Sequence, residues 1–352
     1  MNKVLLILLA FSLKLEAQTP DEKKSPNSFI FNLPDAISQN YGGMYIPVSK
    51  AYAMWSSYEY LKTQGNATPI PNGVQKAEIF WEDKPGLIKE VSIVVGGAPE
   101  NSKIKVDVNK AMGNGNAVIS FKVNDQVYWS WHVWVTDDPS NGVTYSQGFE
   151  TDKNGNAIQV KYMDRNLGAQ SNHFLGNDWH KSSGLMYQWG RKDPFPPMVY
   201  KDLNYYEINS VHGTLYHDEV GKNKIPVQER LYNEIEKNIQ FSVKNPLTYV
   251  INTDNANWFS SSLHKTVGAG VSYTTWDLWS DNYRGGNSNG SSSNAALRAD
   301  SRSYELKSEL DPCPSGWRVP SHYGRVTINN NLGPWGRKSS GGNDDLVPAF
   351  SI

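Results

Sequence analysis

Trp129-Ser130-Trp131-His132-Val133-Trp134 places three tryptophans within six residues, in a segment that alternates as a strand. Trp129, Trp131, Val133 and Val135 share one face; Tyr128, Ser130, His132 and Trp134 share the other. Large apolar groups on both faces predict a strand covered on both sides, either central in its sheet or packed against a second domain. The second face has two readings. His132 and Trp134 are core, or they form a platform for a ligand or a neighbouring domain.

Outward from this strand the pattern stays β. Ala77, Ile79 and Trp81 alternate with Glu78 and Phe80, and Ile104, Val106 and Val108 alternate with Lys103, Lys105 and Asp107. Turn signals stand at Gly96-Gly97, Gly113-Asn114-Gly115 and Asn124-Asp125. Short strands spaced this way predict an immunoglobulin-like β-sandwich over residues 28–142, closed by a turn or hinge at Asp137-Asp138-Pro139-Ser140-Asn141-Gly142. Residues 51–61 read equally as helix or strand. Residues 18–27, polar and proline-containing, read as a linker.

Residues 148–352 are less regular and fit a mixed α+β domain with long loops. Leu231, Ile235 and Ile239 recur every fourth residue and predict a helix over residues 227–239, with Pro226 near its start. Residues 285–295 are rich in Gly, Ser and Asn and read as a loop. The apolar ending Leu346-Val347-Pro348-Ala349-Phe350-Ser351-Ile352 reads as a strand cut in mid-domain, so this domain is expected to be incomplete.

The start of the chain has the form of an export signal over residues 1–17. Lys3 is followed by an apolar run over residues 4–13, and Ala17 precedes a cleavage point at Gln18. That run is roughly half of what a bilayer-spanning helix needs, and no later segment is long and apolar enough to span. Cys313 is the only cysteine, so no internal disulfide forms and stability must come from the core. Lys and Arg number 34 against 35 Asp and Glu, with no long basic run, which argues against a nucleic-acid partner.

Motifs of bond-breaking chemistry are sparse. Gly286-Asn287-Ser288-Asn289-Gly290 has the spacing of a hydrolase nucleophile elbow but sits in the Gly/Ser/Asn loop, without the strand and helix that strain the serine. The histidines show no HExxH pattern; His212 and His217, five apart beside Asp218 and Glu219, read either as a surface loop, which often carries such groups, or as a group that gathers a metal. Asp152-Lys153-Asn154-Gly155-Asn156 opens like a calcium loop but lacks the sixth-position glycine and has Met163 in place of the closing acid, so it reads as a turn. No catalytic residue, metal or cofactor is expected. Arg165, Arg191 and Arg318 stand among amides, carboxylates and aromatics, where a guanidinium either ties loops together or meets a ligand.

Several strings carry a family resemblance. Met163-Asp164-Arg165-Asn166-Leu167-Gly168-Ala169, Tyr187-Gln188-Trp189-Gly190-Arg191-Lys192-Asp193-Pro194-Phe195 and Asp311-Pro312-Cys313-Pro314-Ser315-Gly316-Trp317-Arg318-Val319-Pro320 occur in that order. They resemble the Fibrobacter succinogenes major paralogous domain, in the form found in surface proteins of Bacteroidota, where a preceding immunoglobulin-like or fimbrillin-like domain ends much as Trp129 to Asp137 does. The resemblance implies a C-type-lectin-like fold for residues 148–352, distantly related to the formylglycine-generating enzyme, and a location outside the cell or on the outer face of the outer membrane. That enzyme depends on a cysteine pair, which this chain lacks, so its activity does not carry over. After Pro320 the sequence departs from the family pattern.

These readings converge on a secreted or cell-surface, non-enzymatic adhesion protein that recognises a glycan or a surface protein. Trp134, His132, Arg165, Asn166, Gln188, Trp189, Arg191 and Trp317 are the candidate ligand contacts, because aromatic rings backed by amides and guanidinium groups suit carbohydrate. Two alternatives stand beside it. One is a fimbria-like or matrix component whose aromatic strand packs against a neighbour. The other is an enzyme of the formylglycine-generating fold acting on surface polysaccharide.

Overall fold

The computed structural model describes residues 21–142, 144–145, 160–173, 179–188, 190–196, 226–229, 235–251, 258–259, 278–279 and 307–319. The fold is mainly β with few helices. Its first half holds β1 (Ser28–Asn32), α1 (Leu33–Ser38), β2 (Gly43–Pro47), α2 (Ser49–Ser57), β3 (Gln75–Glu82), β4 (Ile88–Val94), β5 (Lys103–Val108), β6 (Gly115–Val123) and β7 (Gln126–Thr136). One sheet has the order β1-β7-β6-β3 and the other β2-β5-β4. Neighbours are antiparallel except β1 and β7, which run parallel with Ser28 opposite His132. Asn124 and Asp125 both take positive φ in the β6–β7 hairpin, at the turn the sequence marks.

Alternation then sorts the side chains. Ile104, Val106 and Val108 of one sheet share a buried apolar cluster with Ile119, Phe121, Trp131, Val133 and Val135 of the other. Ser130, His132 and Trp134, on the opposite face of β7, are buried as well. The doubly covered strand is therefore observed, and its second cover comes from residues beyond the turn. Phe80 and Lys89 occupy register shifts on the edge strands β3 and β4, so both edges are bulged.

The ambiguous stretch after residue 50 resolves as a helix. Ala51, Met54 and Trp55 bury one side of α2, and a 3-10 turn, Glu59–Leu61, follows. Residues 21–27 differ from a free linker: Asn27 is buried, and its amide donates to the carbonyls of Glu309 and Asp311.

Later elements are β8 (Thr144–Tyr145), β9 (Val160–Lys161), α3 (Trp179–Ser183), β10 (Val227–Glu229), α4 (Ile235–Lys244) and β11 (Tyr249–Ile251). The expected helix over residues 227–239 is corrected. Val227 to Glu229 pair in parallel with Tyr249 to Ile251, and Tyr249 donates to the Pro226 carbonyl, so that segment is a strand. The four-residue period runs on through Ile235, Ile239 and Val243, and the helix follows it. Ile239, Val243, Val250, Trp258, Phe259, Leu278 and Leu310 join the apolar cluster of the two sheets. Among the described residues no helix is long and apolar enough to cross a membrane.

Candidate functional site

β7 is flanked by β1 for only part of its length, and the remainder determines what gathers there. Where pairing with β1 begins, the Asn27 carbonyl accepts from His132 N–H. Further along the same edge, the carbonyls of Ser130 and Tyr128 have no strand opposite. Lys192 Nζ donates to the first at 3.0 Å and Trp55 Nε1 to the second at 2.6 Å. Side chains thus take over where the strand stops, because a buried carbonyl left unpaired is costly.

Lys192 anchors a buried cluster. Its ammonium lies 2.6 Å from both Ser130 Oγ and Asp193 Oδ1, and Ser130 Oγ donates to the same carboxylate oxygen at 2.6 Å. Burial lowers the Lys192 pKa to about 8, with Asp193 opposing the shift, so the group is mainly charged at neutral pH. A serine at this distance from a lysine has the geometry of an activated nucleophile. Here the ammonium has no lone pair to accept a proton, and all three side chains are buried.

His132 anchors a second network. Its Nδ1 lies 3.0 Å from Ser28 Oγ and its Nε2 2.9 Å from Asn116 Oδ1. Asn116 Nδ2 donates to Asp83 Oδ2 and to the Gly168 carbonyl, which turns Oδ1 toward His132 Nε2. Ser28 Oγ also reaches the Pro312 carbonyl at 2.5 Å, and Gln170 donates to Asp83. Burial lowers the His132 pKa to about 3, so the ring is neutral. Trp134 Nε1 donates to the Ala169 carbonyl at 3.1 Å. Gly168 has φ of +82°, and a Cβ there would press on Leu185 and Asn116, so glycine is required where this loop meets the sheet.

The remaining predicted residues are spread over separate braces. Arg165 forms paired bonds to Asp137 and to Asp164 and also reaches Thr136 Oγ1, fixing the corner that the sequence marks as a turn or hinge. Its hydrogen bonds hold the Asp137 carboxyl below its usual range. Gln188 Nε2 donates to the Val250 carbonyl while Oε1 accepts from Val250 N–H, so the amide stands in for a strand neighbour of β11. Arg191 donates to the carbonyls of Thr248, Ser242, Asn245 and Pro246 and to Gln188 Oε1. Asn166 is exposed and donates to the Ser183 carbonyl, and half-buried Trp317 offers its carbonyl to Lys307.

His132 and Trp134 are therefore buried against later residues, which fits the neighbouring-domain form of the platform reading and not its ligand form. Arg165 and Arg191 tie loops together. Trp189, His212, His217, residues 152–156 and residues 286–290 lie outside the described residues. Among the described residues no three His, Cys, Asp or Glu side chains gather as a metal site. Sequence reading missed Lys192, Asp193 and Ser28. The small hydroxyl of Ser130 between two tryptophans was the one local sign that something polar had to meet it.

The chain matches no protein-family model, no curated protein and no solved structure.

Proposed function

We propose that this is a non-enzymatic binding protein of the cell exterior that recognises a glycan or a surface protein. One observation carries the reading: among the described residues, buried Ser28, Ser130, His132, Lys192, Asp193, Arg165 and Arg191 are spent on bracing a sheet against irregular loops. Such a scaffold leaves recognition to its exposed surface. The export-signal pattern and the resemblance to the Fibrobacter succinogenes major paralogous domain, with an immunoglobulin-like or fimbrillin-like sandwich before a C-type-lectin-like fold, support the same reading. Labelled full-length chain should bind a glycan array or fixed bacterial cells saturably, and periodate or protease treatment of the cells should abolish the binding. No saturable binding to either, or release of new reducing ends from polysaccharide, overturns the proposal.

The fimbria-like or matrix reading draws on a different observation. Val74, Ile79, Phe80, Val94 and Val95 are exposed on or beside the edge strands β3 and β4. β7 cannot serve as the contact strand in such an assembly, since it is covered on both faces within the chain.

A further inference from the structure

Residues 21–26 close over the side of α2 that carries Lys50. Their one regular element, the 3-10 turn Glu22–Lys24, buries no side chain, so no apolar core of its own holds the segment down. Polar tethers hold it. Glu22 Oε2 accepts from Ser49 Oγ at 2.7 Å, and Lys24 Nζ lies 2.8 Å from Glu309 Oε1. The third tether is buried: Lys50 Nζ donates to the Lys23 carbonyl at 3.0 Å and to the Ser25 carbonyl. Asn27, buried and bonded to the 309–311 backbone, anchors the end of the segment, and Pro26 before it stiffens the pivot.

Lys50 is 1% exposed, yet no ion pair among the described residues includes it. The nearby acids are committed elsewhere. Glu309 is engaged by Lys24, and Asp311 accepts from the N–H groups of Cys313 and Val319. Lys307 stands on the same stretch of chain. Lys192, paired with Asp193, lies 4.5 Å from the Trp129 ring centroid, and Lys50 Nζ lies 5.8 Å from the same centroid. The two carbonyls that meet Lys50 match the two N–H groups of a neutral amine. An ammonium carries a third, for which the described residues offer no oxygen.

We infer that residues 21–26 form a pH-sensitive clasp, in which closing over Lys50 and the uptake of a proton by that side chain oppose each other. Burial pushes the Lys50 pKa well below its usual value; Lys307 and Lys192 add to the shift, and Glu309 and Asp311 oppose it. Opening the segment hydrates the amine and restores a value near 10.4. Between the lowered value and the ordinary one, the open form binds the proton that the closed form rejects. Each unit of rising pH there favours closure by up to about tenfold, and acid loosens it. Opening stays local because the segment contributes no buried apolar side chain from its turn.

Pulsed hydrogen exchange on the full chain from pH 7 to pH 9.5 tests this, above the range in which carboxylates and His132 titrate. The reporters are the Lys24 and Ser25 amides, which donate to the carbonyls of Asp21 and Glu22. Referred to a free peptide of the same sequence, their protection should rise about tenfold or more across that range. Lys50→Met, uncharged throughout, and Lys50→Arg, charged throughout, should each remove the rise. A rise that survives either substitution overturns the assignment to Lys50. Flat protection in the parent chain overturns the clasp itself. An equal rise in the amides of β6 overturns it too, because the effect then belongs to global unfolding.

Discussion

At the scale of single residues, the two buried networks fail in different ways. His132 is neutral in the fold because burial lowers its pKa to about 3. An unfolded histidine titrates near 6.5, so below that pH the unfolded chain binds a proton that the folded chain refuses, and stability falls as pH falls. The slope approaches about 1.4 kcal/mol per pH unit between pH 6 and pH 4. Urea unfolding across that window should show it, and His132→Gln should flatten it; a variant with an unchanged slope would place the acid sensitivity elsewhere. Lys192 fails differently. Replacing it by methionine strands the Asp193 carboxylate in a dry site and uncovers the Ser130 carbonyl, for a loss of about 3–5 kcal/mol. Adding Asp193→Asn to Lys192→Met should recover much of that loss, because the uncompensated charge disappears. If Lys192→Met unfolds in urea like the parent chain, the cluster contributes nothing to stability.

At the scale of elements, β7 shows what a strand does when its neighbour is too short. β1 is five residues and β7 eleven, so an indole and an ammonium extend the edge. Trp55→Phe keeps most of the apolar bulk on α2 and removes the donor to the Tyr128 carbonyl. Leaving that carbonyl unsatisfied should cost about 1–3 kcal/mol in thermal or urea unfolding. A loss well under 0.5 kcal/mol would mean that water has replaced the indole. The alternation of β7 was legible in the sequence because a period of two is local and the tryptophans made both faces conspicuous. Its partners were not, since Ser28 lies 104 residues away and Lys192 lies 62, and no local pattern encodes which distant group meets which carbonyl. Arg165, Gln188 and Arg191 were recognisable as unusual, but a guanidinium among amides looks the same whether it binds a loop or a ligand.

For the whole molecule, the boundary drawn after residue 142 separates styles of sequence, and the packing runs across it. Residues from α4, β11 and the 307–314 segment enter the same apolar cluster as the two sheets, while the His132 and Lys192 networks cross the same junction with hydrogen bonds. The junction therefore combines two kinds of cohesion. Apolar burial there is non-directional and tolerates small shifts. The polar bonds are directional and fix one register between sheet and loops. Parting the two halves would expose both the cluster and several unsatisfied buried polar groups at once, and that penalty couples their unfolding. Thermal unfolding followed by near-ultraviolet circular dichroism, which reads tryptophan packing, should coincide with unfolding followed in the far ultraviolet. A Lys192→Met/His132→Gln double variant weakens only the polar part of the junction. It should lower the melting temperature while keeping the two transitions together. Two separated transitions in the parent chain would mean that the sheets hold without the loops that cover them, and the bracing role of these residues would have to be abandoned.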